Sequence, residues 1–243
     1  MCGDSVQYEL GDHAAALTSE DVAEFPKLMK DLKPHGPVVC RTEFAWSDPV
    51  SPHLAVEQLG RPVSDLELQE AVHKRLKAFH DAASSKQGSL ALVETAGAVL
   101  SPAPSGRVQA DVLRGMRLPG ILVGDGRIGG ISSTLCALES LLIRGFDVSI
   151  IVIMDMGLKN DEAVEKIVSS GFYGQGKKPP AVFVLPPIPK RSATTVSEVT
   201  LRSWFTQSDH KFAKIVQVLH EEHRTRLQGL RYGHAPRCHT PPS

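Results

Sequence analysis

Three segments carry the residues that can do chemistry. Leu90-Ala-Leu-Val-Glu94-Thr-Ala-Gly97 is an apolar run that ends in an acid followed by small residues. In Leu118-Pro-Gly-Ile-Leu-Val-Gly124-Asp-Gly-Arg127-Ile-Gly129-Gly130, the apolar run ends in a glycine cluster. The run Phe146-Asp-Val-Ser-Ile-Ile-Val-Ile-Met-Asp155 ends again in an acid. A helix-length segment joins the last two. Apolar runs ending in carboxylates or glycines are the pattern of a parallel α/β sheet whose site lies at the carboxyl ends of its strands. The chemistry this suggests is phosphoryl transfer, although no Gly-x4-Gly-Lys-[Ser/Thr] loop precedes these segments.

Each motif has a plainer reading beside it. Glu94, at the end of a buried strand, can hold Mg²⁺ beside a nucleotide's phosphates; an N-cap or loop acid at a strand end has the same appearance. Gly124 to Gly130 stands between a strand and a helix, where backbone N–H groups can meet an anion. Gly124 and Gly129 have the spacing of a phosphate loop, but Gly130 occupies the lysine position. A ligand carboxylate or phosphate at the helix start fits this segment, and so does a tight turn that merely needs glycines. Gly171-Phe-Tyr-Gly-Gln-Gly176-Lys177-Lys178 also approaches the phosphate-loop pattern. There, Lys178 replaces Ser/Thr and Pro179-Pro180 follows where a helix is required, so it reads as a basic surface turn. Ser51-Pro52-His53 offers a hydroxyl and an imidazole in one loop. His220-Glu-Glu-His223 has histidines three apart rather than four and reads as a solvated helix face.

The 243 residues suffice for one domain, or one domain with an appendage. Lys+Arg and Asp+Glu both number 27, so no overall charge favours nucleic acid. The cysteines Cys2, Cys40, Cys136 and Cys238 have no metal-like spacing, which fits a reducing compartment. No apolar run approaches the roughly 20 residues of a membrane helix, and Met-Cys-Gly-Asp does not open a secretory signal. The expectation is a soluble intracellular chain, without nucleic-acid or membrane partners.

These motifs need elements to position them. Residues 1–36 read as polar and helical, with a helix from about Thr18-Ser-Glu-Asp21 to Leu32 ended by Pro34-His-Gly36. Val38–Cys40 reads as a strand, and Phe44 to Pro52 as a loop punctuated by prolines. Helices follow over Asp65–Ala83, 108–116, Ser132–Arg144 and Asp161–Ser170. Strands are expected at Leu90–Val93, Gly120–Val123, 148–153 and Ala181–Leu185. In helix 132–144, Leu135, Leu138, Leu141 and Leu142 form the buried side. Residues 190–207 are Ser/Thr-rich and polar, Asp209–Leu230 is one amphipathic helix, and 231–243 has no periodicity and reads as disordered. Strand–helix alternation at this pitch predicts an α/β, doubly wound and mainly parallel sheet.

Taken in order, four of these segments resemble dethiobiotin synthetase. They are Ser47-Asp-Pro-Val-Ser-Pro-His53 through Gly60-Arg-Pro-Val63, Leu92-Val-Glu94-Thr-Ala-Gly97, Leu118 through Gly130, and the late strand leading to Pro186-Pro-Ile-Pro189. The likeness covers residues 37–190 and is nearest to the synthetase half of the bifunctional dethiobiotin synthetase/diaminopelargonate aminotransferases of plants and fungi. It implies a P-loop NTPase type of fold. It also implies a cyclo-ligase that closes a ureido ring on 7,8-diaminononanoate with CO₂ and MgATP. By resemblance, Glu94 matches the Mg²⁺ carboxylate, Gly97 lies in backbone near substrate, and Ser51 is a substrate-side hydroxyl. Gly129, Gly130 and Ser132 match the helix start that receives the substrate carboxylate, and Pro187 and Pro189 match the loop over the adenine.

The family's N-terminal strand and phosphate loop, with its lysine, have no counterpart in residues 1–36, and a second family lysine is missing. Met154 stands where many members place an adenine-reading asparagine, and Arg127 replaces a lysine. No catalytic residue is therefore assigned. The expectation is a chain truncated at its N-terminus, with residues 1–190 as the synthetase-like domain, 191–230 as polar linker and helix, and 231–243 as tail. Turnover by this chain alone is expected to be impaired, with a non-catalytic scaffold or dimerisation remnant as the alternative. The resemblance implies a homodimer and a fused or docked aminotransferase. It places the protein in mitochondria if the bifunctional likeness holds, and in the cytoplasm otherwise.

Overall fold

A computed structural model describes residues 6–13, 38–46, 48, 50–83, 89–172, 178–189 and 198–231. They gather into two units that divide between Met116 and Arg117. In the first unit, β1 (Val6–His13) pairs in parallel with β2 (Val38–Phe44), with Val6 opposite Val38 and Leu10 opposite Thr42. This corrects the helical reading of residues 1–36 over Val6–His13. Val6-Gln-Tyr-Glu-Leu10 alternates apolar and polar residues, a period of two that its polar composition hides. The helix expected near 18–32 lies outside the described residues. β2 runs past the expected Cys40 because Arg41 and Glu43, two apart, share a face and pair at 2.6 Å.

The expected proline-punctuated loop contains α1 (Pro52–Leu59), which begins directly on Pro52. A proline at the first helical position loses no hydrogen bond, because that N–H has no helical partner in any case. Gly60, at φ +62°, donates to Glu57 O, and Arg61 N–H reaches Val56 O to close the helix. α2 (Asp65–Ala83) has the expected bounds. Ser64 and Glu67 cap it reciprocally: Glu67 N–H donates to Ser64 Oγ, and Ser64 N–H to Glu67 Oε2. Arg75 of α2 donates to Glu43 Oε1 at 2.8 Å, tying the helix to β2. Gln69 Nε2 donates to Val112 O at 2.6 Å, tying it to α3 (Gln109–Leu113), which a single 3₁₀ turn, Arg114–Met116, extends.

The strand expected at Leu90–Val93 is not formed. These residues are irregular, Leu92 is 71 % exposed, and among the described residues no strand pairs with them. An apolar run of strand length becomes a strand only where a neighbour can take its N–H and C=O groups.

The second unit is an α/β layer structure with three parallel strands in the order β3 (Gly120–Gly124), β4 (Val148–Met154) and β5 (Ala181–Leu185). Leu122 lies opposite Ile151, and Ile151 opposite Val182. The crossovers are α4 (Gly130–Ile143) and α5 (Asn160–Ile167), which pack on each other. Of the expected buried side of α4, Leu138 is fully buried, whereas Leu135, Leu141 and Leu142 are half-buried. Gly145, at φ +77°, follows the helix.

β4 is central and therefore apolar on both faces. Ile150 and Val152 pack with Leu185 and with Trp204 and Ile215 of α6 (Glu198–Arg231). Ile153, which alternates to the other face, packs on the side of Gly124 and Thr134. α6 begins well before the expected Asp209, within the stretch that reads as polar. Trp204 is the reason: its ring meets Phe205 and Phe212 at 5.1 and 5.9 Å, and its Nε1 donates to Pro186 O. That buried anchor outweighs the hydroxyl-rich composition around it. Among the described residues, no helix is long and apolar enough to cross a membrane.

Candidate functional site

The loop from Gly124 to Gly130 links the carboxyl end of β3 to the start of α4. Three of its glycines stand where a side chain cannot. A Cβ on Gly126 would collide with Met154 O, and one on Gly130 with Asp125 O. On Gly124 it would come to 2.7 Å from Thr134 Oγ1. Gly129 adopts φ +84°, the left-handed region that glycine enters without steric cost.

Two buried side chains hold this backbone. Thr134 Oγ1 accepts from Asp125 N–H at 3.0 Å. Asn160, 6 % exposed at the start of α5, donates to Asp125 O at 2.9 Å and to Arg127 O at 2.8 Å. The residue before it, Lys159, is held at φ +56°. Gly130 N–H donates to Arg127 O and Ser133 N–H to Gly129 O, so the N–H groups of Ile131 and Ser132 are left without a protein acceptor among the described residues. Unpaired N–H groups in a first helical turn, with the positive end of the helix dipole behind them, suit an anion. At the loop's outer edge, Arg127 donates to both Asp125 carboxylate oxygens. The Arg127 hydrogen bond holds the Asp125 carboxyl below its ordinary range, and the same pairing raises Arg127. Ile128 beside them is 92 % exposed.

In the first unit, the loop after Glu94 has a comparable clamp. Gln109, 8 % exposed at the start of α3, donates to Ala96 O and, at 3.5 Å, to Pro102 O. Gly97 adopts φ +84°, and a Cβ there would come to 2.6 Å from Ser101 Oγ. That hydroxyl accepts from Ala98 N–H at 2.8 Å. Ser105 Oγ and Arg107 bind the Asp65 carboxylate at the start of α2, holding the far side of the loop. Glu94 itself is exposed. Among the described residues, no three His, Cys, Asp or Glu side chains gather as a metal-binding cluster. One exposed carboxylate suits Mg²⁺, which keeps several waters and takes its remaining ligands from phosphates.

The sequence-derived site residues thus fall into two groups. Ser51, Glu94 and Gly97 belong to the first unit, and Gly129, Gly130, Ser132, Pro187 and Pro189 to the second. Ser51 is the N-cap of α1, but its hydroxyl shares a 3.0 Å hydrogen bond with His53 Nδ1 instead of capping the helix. Ser132 is exposed on the first turn of α4; Pro187 is exposed and Pro189 half-buried beyond β5. Trp204 fixes the start of that proline segment through Pro186 O. Of the segment expected as a basic surface turn, residues 173–177 lie outside the described residues; Lys178 meets Glu222 of α6 at 2.8 Å, and that bond raises its ammonium. His220 and His223 are exposed on α6.

Sequence reasoning missed Gln109, Thr134 and Asn160 as loop-holding residues. The one signal available was position: a carboxamide or hydroxyl on the helix that follows or neighbours a glycine-bearing loop.

No model of a known protein family matches the chain. It is 42% identical over 194 residues to the mitochondrial bifunctional dethiobiotin synthetase/7,8-diamino-pelargonic acid aminotransferase of Oryza sativa subsp. japonica, covering 79% of this chain and 21% of the rice protein. It is 43% identical over 164 residues to the bifunctional dethiobiotin synthetase/adenosylmethionine-8-amino-7-oxononanoate aminotransferase of Emericella nidulans, covering 67% and 19%. To the ATP-dependent dethiobiotin synthetase BioD of Acidiphilium cryptum it is 32% identical over 143 residues, covering 58% and 59%. The chain therefore spans about a fifth of the length of these bifunctional relatives.

Proposed function

The chain belongs to the dethiobiotin synthetase family, and from that membership we propose that it acts in biotin biosynthesis, in the ATP-dependent closure of a ureido ring on 7,8-diaminononanoate with CO₂. The observation that carries this is the 42% identity over 194 residues, a span that includes most of the chain. The built loop at Gly124–Gly130 adds a physical reason, because a glycine-lined helix start with unpaired N–H groups suits the carboxylate of such a substrate.

In this reading, by the family's pattern, Gly129, Gly130 and Ser132 of the second unit are assigned to the substrate carboxylate; in the first unit Ser51 is assigned as a substrate-side hydroxyl and Gly97 as backbone near substrate. Glu94 holds Mg²⁺, and Pro187 and Pro189 lie over the adenine. MgATP, when bound, supplies the phosphoryl group that activates the carbamate; the residues named here hold and orient the reactants, which is where most of the catalysis in such a reaction resides. No residue of this chain is assigned to the β- and γ-phosphates, so the isolated chain is expected to bind diaminononanoate and to turn over slowly. The plant relatives are mitochondrial and bifunctional, and in the same reading this protein works as a homodimer with a fused or docked aminotransferase in mitochondria.

Titration of the full chain with 7,8-diaminononanoate, with and without a non-hydrolysable MgATP analogue, tests this. The expected result is diaminononanoate binding that Ser132→Asp weakens at least about tenfold, by placing a carboxylate against the carboxylate receptor. Absence of diaminononanoate binding by the folded chain would falsify the substrate reading and leave a non-catalytic scaffold as the alternative.

A further inference from the structure

We infer that Asn160 is a positioning residue for the carboxylate-receiving loop, an inference that rests on the substrate reading above for its ligand and on the structure for its geometry. A carboxamide nitrogen has two hydrogens, and Asn160 gives one to Asp125 O and the other to Arg127 O. Both donors are thereby used, in a side chain almost withdrawn from water.

The consequence for the loop follows from the trans peptide bond, in which C=O and the next N–H point opposite ways. Drawing the carbonyls of Asp125 and Arg127 onto Asn160 turns the N–H groups of Gly126 and Ile128 away from it. The same carbonyl of Arg127 also accepts Gly130 N–H, so Asn160 fixes the residue from which α4 starts. These two N–H groups lie beside the first turn of α4, where the Ile131 and Ser132 N–H groups have no protein acceptor among the described residues, and together they suit an anion. Gly130 is part of the same fit: a Cβ there would lie 2.8 Å from Asn160 Nδ2 and against Asp125 O.

Lys159 provides a separate sign that the position is held by force. A non-glycine residue at φ +56° is in a conformation that costs free energy, and it directly precedes Asn160. Lys159 Nζ lies 3.1 Å from Glu162, an exposed pair too weak to impose that conformation. Asn160, anchored at two carbonyls, supplies the constraint.

Asn160→Ala in the full chain tests this with two readouts: affinity for 7,8-diaminononanoate by titration, and amide hydrogen exchange at Asp125, Gly130 and Ser133. Ile215→Val, which thins the packing of α6 away from the loop, is the control for general loosening. The expected result for Asn160→Ala is affinity about tenfold or more weaker and loop amides exchanging about tenfold or more faster, with both within about twofold of wild type in the control. Unchanged exchange of the loop amides overturns the inference whatever the wild type binds. Faster exchange with unchanged affinity also overturns it, since the loop would then not position the ligand. If the wild type binds no diaminononanoate while Asn160→Ala still speeds exchange, the substrate reading fails and the latch on the loop is supported. Should Asn160→Ala not fold, Asn160→Asp keeps the shape while setting an acceptor against two carbonyls, and the same readouts decide.

Discussion

The loops at Glu94–Pro102 and Gly124–Gly130 use the same device on different foundations. Each is held by one buried carboxamide that donates to two backbone carbonyls, Gln109 in the first unit and Asn160 in the second. The second loop leaves a strand paired with β4 and enters a helix of 14 residues. The first leaves a largely exposed run that pairs with no strand among the described residues, and reaches only a short helix. Their glycines differ accordingly. Gly126 and Gly130 face backbone oxygens, which cannot move aside, whereas Gly97 faces only the Ser101 side chain, its Oγ at 2.6 Å and its Cβ at 3.0 Å. A clamp of one kind thus fixes a loop only as firmly as the elements around it.

The largest effect that would sharpen this contrast is Gly126→Ala. Its Cβ meets Met154 O at the end of β4, so the β3 and β4 ends must part, at a cost of about 3 kcal/mol or more. Gly97→Ala should cost less, about 1–2 kcal/mol and chiefly from its positive φ, because the Ser101 hydroxyl can rotate away and its Cβ, at 3.0 Å, need shift only slightly. Chemical denaturation of the two variants measures the gap; equal losses would remove the distinction between the loops.

Next in size is Gln109→Ala, which strands the Ala96 carbonyl and should destabilise by about 1–3 kcal/mol. The loss should appear as faster exchange of the Ser101 and Gln109 amides, with the loop at Gly124–Gly130 unaffected. Lys159→Gly should act in the opposite direction, raising stability by up to about 1 kcal/mol by relieving the left-handed residue, as a shift in denaturation midpoint would record.

The smallest expected effect concerns pH. Asp125 titrates below its ordinary value because Arg127 hydrogen-bonds its charged form. A depressed carboxyl pKa contributes stability that is fully present above the unfolded value of about 3.9 and is lost as pH falls through the lower folded value. The ion pair should therefore persist at neutral pH and open only in acid. Carboxyl-carbon NMR of Asp125 should show its titration moving upward in Arg127→Ala; an unmoved curve would mean that Arg127 is not the cause.

Much of the second unit was legible because its elements follow from local pattern. Ala181–Leu185 and Gly120–Gly124 are apolar runs bounded by proline and glycine, and both are strands at nearly the expected residues. The same rule failed at Leu90–Val93, where apolarity has no ladder partner among the described residues, and at Val6–Leu10, where alternation was masked by polar residues. Pro52 reads as a breaker in the sequence and is a helix start in the structure, since proline suits both a loop and a first turn. Residues 198–207 read as polar because composition weighs every residue equally, whereas one Trp204 docked on β4 and β5 carries the segment into the helix. Of the candidate site, glycine spacing marked the Gly124–Gly130 loop, but nothing in it pointed to Asn160, 30 or more residues later.

The α/β alternation of the second unit and the glycine-bearing loop after β3 follow from the chain's local pattern, and the ordered motifs carry the family resemblance. These depend on periodicity and on residues close in the chain, which a linear reading preserves. Only the tertiary structure decided which apolar runs become strands, where α6 begins, and which buried amides hold the two loops. Hydrogen bonds and packing between distant residues satisfy groups that local sequence leaves open, and their partners are chosen by proximity in space.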